Sequence, residues 1–467
     1  MLRIVNTKGL WCQDEIAFSS LIFSSITAKK NNPFIKESCF MFEKLKDYFD
    51  LHLQPDAQGK DIFFFALNVL IPALMGLHLL VNPLPLNSVN EVCYYLSCAA
   101  LITLLLFKKT HFTLRTPLTI GFSLFFVWAV LGLFTTLDFS NTLHDLRGYL
   151  LEYLVIFYLL VNFYNSRNRL EFLSVIVIAS AVIFSIGGLI LFYCVEGNPL
   201  NARFGESSFH FQEMYTGFMC FTTIFAGTLS LRSVYRPGPV LHQAVYFFCF
   251  LVLTTVTMLN KSRGATISLC VALLIMCLHR KRNIILIAVA GIMVLLTPGF
   301  TDRISTMGFT QDIRSKVFRL ASEVIKDYPV FGIGYGGEIY RNINLVNLEK
   351  YNERLPEKYQ QKNGIVKSTH NMFLDVTIRT GLVGLGFFLL IFVTAVWMLW
   401  DIFQRRKEDF FRSWSICLFA CLSSFAILAL FGDALYGVQG TVLYVNLAMI
   451  GILWNLSREN KKPFMPV

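Results

Sequence analysis

Two cations stand in a turn of about five residues, Asn260-Lys261-Ser262-Arg263-Gly264, between two apolar runs, with Gly264 permitting a tight reversal. A guanidinium beside an ammonium in so confined a turn suits a phosphate clamp; the alternative is an arginine snorkelling to lipid headgroups. Arg203, in Asn201-Ala202-Arg203-Phe204-Gly205, is a further cation in a short loop, and His144 and Arg147 could extend a cationic rim. Another kind of chemistry is suggested at Ser368-Thr369-His370-Asn371, ahead of a helical run. Ser368 or Thr369 is a good N-cap, which places His370 in the first turn, where unpaired N–H groups and the positive dipole end favour neutral imidazole. Neutral imidazole can take a proton, and the same helix end can help to hold an anion. The plainer alternative is a polar capping histidine.

Between these features, residues 312–326 place Val317, Leu320, Ala321, Val324 and Ile325 at helical spacing, with Asp312 in the first turn and Pro329 beyond the end. An amphipathic helix is expected, with Arg314 directed either into a site or into solvent. The run Gly332-Ile333-Gly334-Tyr335-Gly336-Gly337 follows. No buried strand precedes it as a nucleotide fold requires, so it reads as a tight turn near the membrane surface. Cys417 and Cys421 share a helix face without His or carboxylate company and read as small buried hydrophobes. With no Asp-x-Asp on the outer face and no cluster of His and carboxylate ligands, neither a metal nor a cofactor is expected.

The elements that must carry these residues follow from composition. The chain has 467 residues, 55% of them hydrophobic and 15% charged, and a mean hydropathy of +0.56. Three water-facing globules could not hide that much apolar surface, so lipid is the expected solvent. About twelve spans emerge: 62–81, 91–107, 117–137, 148–164, 172–195, 214–232, 241–259, 265–279, 283–298, 382–400, 414–431 and 441–455. With a cytoplasmic N-terminus, the inside loops 108–115, 167–169, 232–236, 280–282 and 405–412 hold fourteen Lys and Arg. The short outside loops hold four, Arg147, Arg203, Lys261 and Arg263. Both termini are then cytoplasmic and the candidate site faces the periplasm. The expected organisation is a cytoplasmic segment 1–61, spans one to nine over 62–298, a large periplasmic loop with entry to the tenth span over 299–381, spans ten to twelve over 382–455 and a tail 456–467. Met41 offers an alternative start. The net charge of +11 is explained by loop charge, and no nucleic-acid partner is expected.

Arg203 with Gly205, Ser262-Arg263-Gly264, the stretch Tyr328-Pro329-Val330-Phe331-Gly332-Ile333-Gly334-Tyr335-Gly336, and His370-Asn371 followed by Leu374, Gly381 and Gly384-Leu385 resemble the O-antigen ligase and polymerase superfamily. The resemblance covers roughly residues 200–400 and rests on the order and shared face of these motifs. It implies an all-α integral membrane protein, a GT-C-like, metal-independent glycosyltransferase of the lipid-carrier-dependent class at the inner membrane. Its donor would be a glycan on undecaprenyl pyrophosphate, its acceptor the lipid A–core, and its surroundings membrane lipids. Carried over by motif, Arg263 and Arg203 would bind pyrophosphate and His370 would activate the acceptor hydroxyl. Lys261, Arg314, Tyr335 and Asn371 are further candidates for substrate binding. A polymerase of the same superfamily, or a flippase or transporter of lipid-linked sugars, are the competing expectations; a transporter would place ionisable groups at mid-membrane depth.

Overall fold

The computed structural model describes residues 62–84, 86–199, 202–204, 219–236, 238–278, 313–362 and 364–459. The chain divides into two compact units, 1–65 and 66–467. Of the first, the opening turn of helix α1 is described; the site lies in the second.

Regular structure among the described residues is helical: α1 (Ile62–Val81), α2 (Asn87–Leu106), α3 (Leu118–Leu131), α4 (Phe139–Asp145), α5 (Glu152–Phe163), α6 (Arg167–Leu189), α7 (Met219–Val234), α8 (Val240–Leu259), α9 (Arg263–Leu278), α10 (Ile313–Asp327), α11 (Leu348–Glu353), α12 (Met372–Arg405), α13 (Asp409–Ala429) and α14 (Gly437–Glu459). Eight helical stretches are long and apolar enough to cross a membrane, and α3, α7 and α9 supply three shorter apolar helices. They coincide with eleven of the twelve expected spans. The expected span at 283–298 lies outside the described residues, as do the segment 1–61 and positions 299–312 and 460–467.

Apolarity all round a helix demands either protein or lipid on every side. Helix α7 takes the first solution and is buried from Met219 to Ser233. Helix α2 takes the second: Val92, Tyr95 and Ile102 are each more than half exposed, a surface suited to acyl chains. At one end of the bundle Glu171 of α6 accepts from both terminal nitrogens of Arg232, lies 3.2 Å from Arg236 Nη1, and accepts from Trp414 Nε1 at 3.1 Å. Arg232, expected as a loop charge, instead lies in the last turn of α7, 6% exposed, its guanidinium 3.6 Å from the centre of the Trp414 ring. Glu171 makes that burial tolerable by neutralising it. Helix α13 starts at this end and finishes at the other, where the candidate residues stand.

The long connection builds a small core of its own. Helix α10 buries Val317, Leu320, Ala321 and Val324, as its periodicity predicts, the last three against Ile333, Ile339, Tyr340, Leu374 and Ile378. Helix α12 breaks at Gly381 (φ 71°, ψ −178°). There Leu382 N–H turns to the carbonyl of Pro329 at 2.8 Å, while the carbonyls of Ile378, Arg379 and Thr380 accept from Ile333 N–H, Gly334 N–H and Trp128 Nε1–H at 2.9, 3.2 and 2.9 Å. The glycine-rich run, expected from sequence as a tight turn near the membrane surface, is a strap of bends and turns bonded along the break in α12. Its glycines serve close backbone approach: a Cβ on Gly332 (φ 71°) would stand 2.4 Å from the carbonyl oxygen of Ile378, and one on Gly381 would stand 1.9 Å from that of Val330.

Candidate functional site

The cationic half is assembled by backbone stitching. Phe204 N–H donates to the carbonyl of Leu259 at 3.0 Å, Arg203 Nε donates to that of Asn260 at 2.9 Å, and Asn260 Nδ2 returns a hydrogen bond to the carbonyl of Phe204 at 3.2 Å. The segment 202–204 is thus sewn to the end of α8, and Arg203 stands beside the turn holding Lys261 and Arg263. All three cations are half-buried. Ser262 caps α9, its Oγ accepting from Ala265 N–H at 3.4 Å, so Arg263 is the first helical residue.

A cation in the first turn opposes the helix dipole. Lys261 adopts a left-handed backbone at φ 52°, which costs a residue with a Cβ about 1–2 kcal/mol. The turn thus sets two cationic side chains beside the N–H groups of a helix start, an arrangement chemically able to hold an anion.

The histidine half differs from expectation in its capping. Asn371 is the N-cap of α12, its Oδ1 accepting from Leu374 N–H at 3.1 Å, so His370 lies just before the helix rather than in its first turn. Ser368 and Thr369 do not cap the helix; Ser368 Oγ donates to Asp433 Oδ2, and Thr369 Oγ1 lies 3.2 Å from both Asp433 Oδ1 and the carbonyl of Asn371. His370 is exposed, has a left-handed backbone at φ 47°, donates its N–H to Ser368 Oγ at 3.3 Å and brings Nδ1 to 3.5 Å from the same oxygen.

One connection, residues 430–436 between α13 and α14, reaches both halves. Asp433 holds the two hydroxyls ahead of His370. Two residues earlier, the Phe431 ring lies 2.8 Å from where a Cβ on Gly264 would sit, and the Arg314 guanidinium stands 5.2 Å from that ring's centre. Arg314, for which sequence left two orientations open, thus leans toward the cationic turn. Tyr436 lies under the Arg379 guanidinium at 4.3 Å and donates its hydroxyl to the carbonyl of Tyr335 at 3.2 Å.

Beneath the surface is an ionic layer. Arg379 pairs with Asp375 at 2.8 Å, both less than a tenth exposed, and donates to the carbonyl of Tyr335 at 3.1 Å. Asp145 accepts from Gly337 N–H at 2.7 Å and lies 3.0 Å from His144 Nδ1. Tyr335 is itself only 3% exposed, its hydroxyl pushed well above its ordinary pKa by burial. The carbonyl of Tyr335 accepts from both Arg379 and the Tyr436 hydroxyl, and Asn371 caps α12.

These motifs and their spacing agree with a comparison against known families. Residues 248–389 match the O-antigen ligase family model. That match is consistent with the superfamily of O-antigen ligases and polymerases, glycosyltransferase-like enzymes that use lipid-linked glycans and lipid acceptors. No curated protein matches the chain. The O-antigen ligase match takes in Lys261, Arg263, Arg314, Tyr335, His370 and Asn371; it excludes Arg203 and the whole of 430–436. Phe431, Asp433 and Tyr436 are also what the sequence reading missed. A tally of Lys and Arg passes over acids, so the one available signal, an Asp in the short turn Phe431-Gly432-Asp433-Ala434, went uncounted.

Proposed function

We propose that this protein is an O-antigen ligase that transfers a glycan from undecaprenyl pyrophosphate to a lipid A–core sugar at the periplasmic face of the inner membrane, without a metal. The observation that carries this reading is the connection 430–436, which touches the cationic turn through Phe431 and the histidine segment through Asp433. An anion site and a proton acceptor are the two parts that such a transfer needs.

The donor already carries a good leaving group, so the enzyme's task is to hold its charge and to place an acceptor oxygen behind the anomeric carbon. Arg203 and Arg263, with Lys261, would hold the pyrophosphate; a hydrogen bond to a charged group contributes about 1.5–3 kcal/mol. His370 would take the acceptor's proton. Because Ser368 spends its O–H on Asp433, its oxygen can only accept from imidazole. That selects the tautomer with the proton on Nδ1 and leaves the Nε2 lone pair for the acceptor hydroxyl. The 3.5 Å separation is long for a hydrogen bond, as is common before substrate arrives. The acceptor O–H then loses its proton to Nε2 as its oxygen bonds to the anomeric carbon, and the pyrophosphate leaves with the electron pair of the broken C–O bond. A single displacement of this kind inverts the anomeric centre.

A polymerase would share the donor and differ in the acceptor. The test is the glycan pattern of a strain lacking this protein. A ligase defect leaves long polymer on the lipid carrier and lipopolysaccharide ending at the core, whereas single repeats on the carrier would overturn the ligase reading in favour of a polymerase.

A further inference from the structure

The Phe431 ring stands where two helix N-termini meet. On one side is α9, which begins with Arg263; a Cβ on the next residue, Gly264, would come within 2.8 Å of the Phe431 Cβ, Cγ and Cδ2. The glycine of the Ser262-Arg263-Gly264 turn therefore admits this ring. On the other side is α10, which begins at Ile313 and whose second residue, Arg314, has its guanidinium 5.2 Å from the ring's centre. The backbone of Phe431 is fixed in turn by its N–H, which donates to the carbonyl of Leu428 at 2.9 Å.

This arrangement gathers positive charge of two kinds. Each helix contributes the positive end of its dipole, and each places an arginine in its first turn, where the dipole disfavours it. Arg314 is exposed on the first turn of α10, and a long side chain there gives up rotamer freedom when it is held in one geometry. The negative face of the Phe431 ring gives its guanidinium a contact within the usual range for a guanidinium over an aromatic ring.

We propose that Phe431 is a positioning residue that holds Arg314 against the N-terminus of α9, so that its guanidinium joins Arg263 and Arg203 on the pyrophosphate of the lipid-linked donor. The proposal rests on the donor assignment made under Proposed function. Phe431 lies outside the residues matched to the O-antigen ligase family and would act through Arg314 and the α9 turn, which it touches.

The experiment measures transfer by purified protein with donor titrated at saturating acceptor, comparing Phe431→Leu, Phe431→Tyr, Arg314→Gln, the double variant Phe431→Leu with Arg314→Gln, and Arg263→Ala. Leucine keeps apolar bulk beside Gly264 and removes the ring face. Phe431→Leu is expected to raise the donor KM roughly two- to fivefold, the range a cation–π contact is worth, with kcat within about twofold of the parent. Phe431→Tyr keeps a ring and should behave as the parent. Arg314→Gln should raise the donor KM at least as far as Phe431→Leu, and the double variant should be no worse than Arg314→Gln alone, because the ring has nothing left to position. A donor KM unchanged by Phe431→Leu, or effects that multiply in the double variant, would overturn the proposal. Arg263→Ala separates the two levels: if it leaves donor KM at the parental value, the donor assignment itself falls. If it weakens the donor while Phe431→Leu does not, only the positioning role falls. Should the leucine variant fail to accumulate in membranes, Phe431→Met removes the ring in a more adaptable side chain and is read in the same way.

Discussion

Left-handed backbone at a residue with a Cβ is costly, and Lys261 and His370, two candidate site residues, both adopt it. Strain of this kind persists where surrounding contacts enforce it, and at His370 the enforcing contacts are identifiable: Asp433 holds Ser368 and Thr369, while Asn371 starts the helix. The sequence singles out the histidine but not which of its neighbours caps the helix. Ser, Thr and Asn all make good caps, and the carboxylate that accepts from Ser368 and Thr369 lies some sixty residues away along the chain. The corrected cap sharpens a test. Asn tolerates the left-handed backbone, keeps a polar side chain and cannot serve as a base at neutral pH. His370→Asn is therefore expected to retain its thermal midpoint and its binding of lipid-linked donor while transfer falls by about 10²–10⁴-fold, the usual worth of general-base catalysis. Transfer within about threefold of the parent would remove the base assignment.

At the scale of elements, periodicity was a good guide where a helix packs by its own pattern and a poor one where two backbones meet. Helix α10 follows its heptad-like spacing closely, with Val317, Leu320, Ala321 and Val324 all buried. The glycine run 332–337 gave no comparable signal, because its partners are the carbonyls of Ile378 and Arg379, more than forty residues later, exposed only by the break at Gly381. Two glycines of α12 separate these effects. Gly381→Ala would force a Cβ to 1.9 Å from the carbonyl oxygen of Val330 and strain a φ of 71°; Gly386 has nothing within 4 Å of its would-be Cβ. Gly386→Ala should therefore accumulate and melt like the parent, or melt slightly higher, since alanine favours a helix interior by up to about 1 kcal/mol. Gly381→Ala should lower the melting midpoint in detergent and abolish transfer, because the strap and His370 flank the same short helical segment. Equal melting of the two variants would show that the strap contributes nothing to the fold.

Among the described residues, charges gather toward two ends of the helices, and Arg232, expected as a loop charge, is buried within α7. One end gathers Arg167 against Glu408 at 2.7 Å and Arg232 and Arg236 against Glu171; the other has Arg203 bonded to Asn260 beside the turn of Lys261 and Arg263, with Arg314 over the Phe431 ring. Helix α12 links the ends. After the break at Gly381 it continues for 24 residues to Arg405, about 36 Å at 1.5 Å per residue, enough to cross a hydrocarbon core of about 30 Å. Exposed positions on either side, Asn342 in the long connection and Lys407 just past α12, should then lie in different compartments. The bias of Lys and Arg in short loops would put the basic cluster at 405–412 in the cytoplasm and Asn342 in the periplasm. Sandwich fusions of a phosphatase active only in the periplasm and of a reporter active only in the cytoplasm, placed in turn at Asn342 and Lys407, should give reciprocal activities. The same compartment at both positions would mean that α12 does not cross, and reversed activities would put the cationic turn and His370 on the cytoplasmic face, away from any acceptor assembled outside.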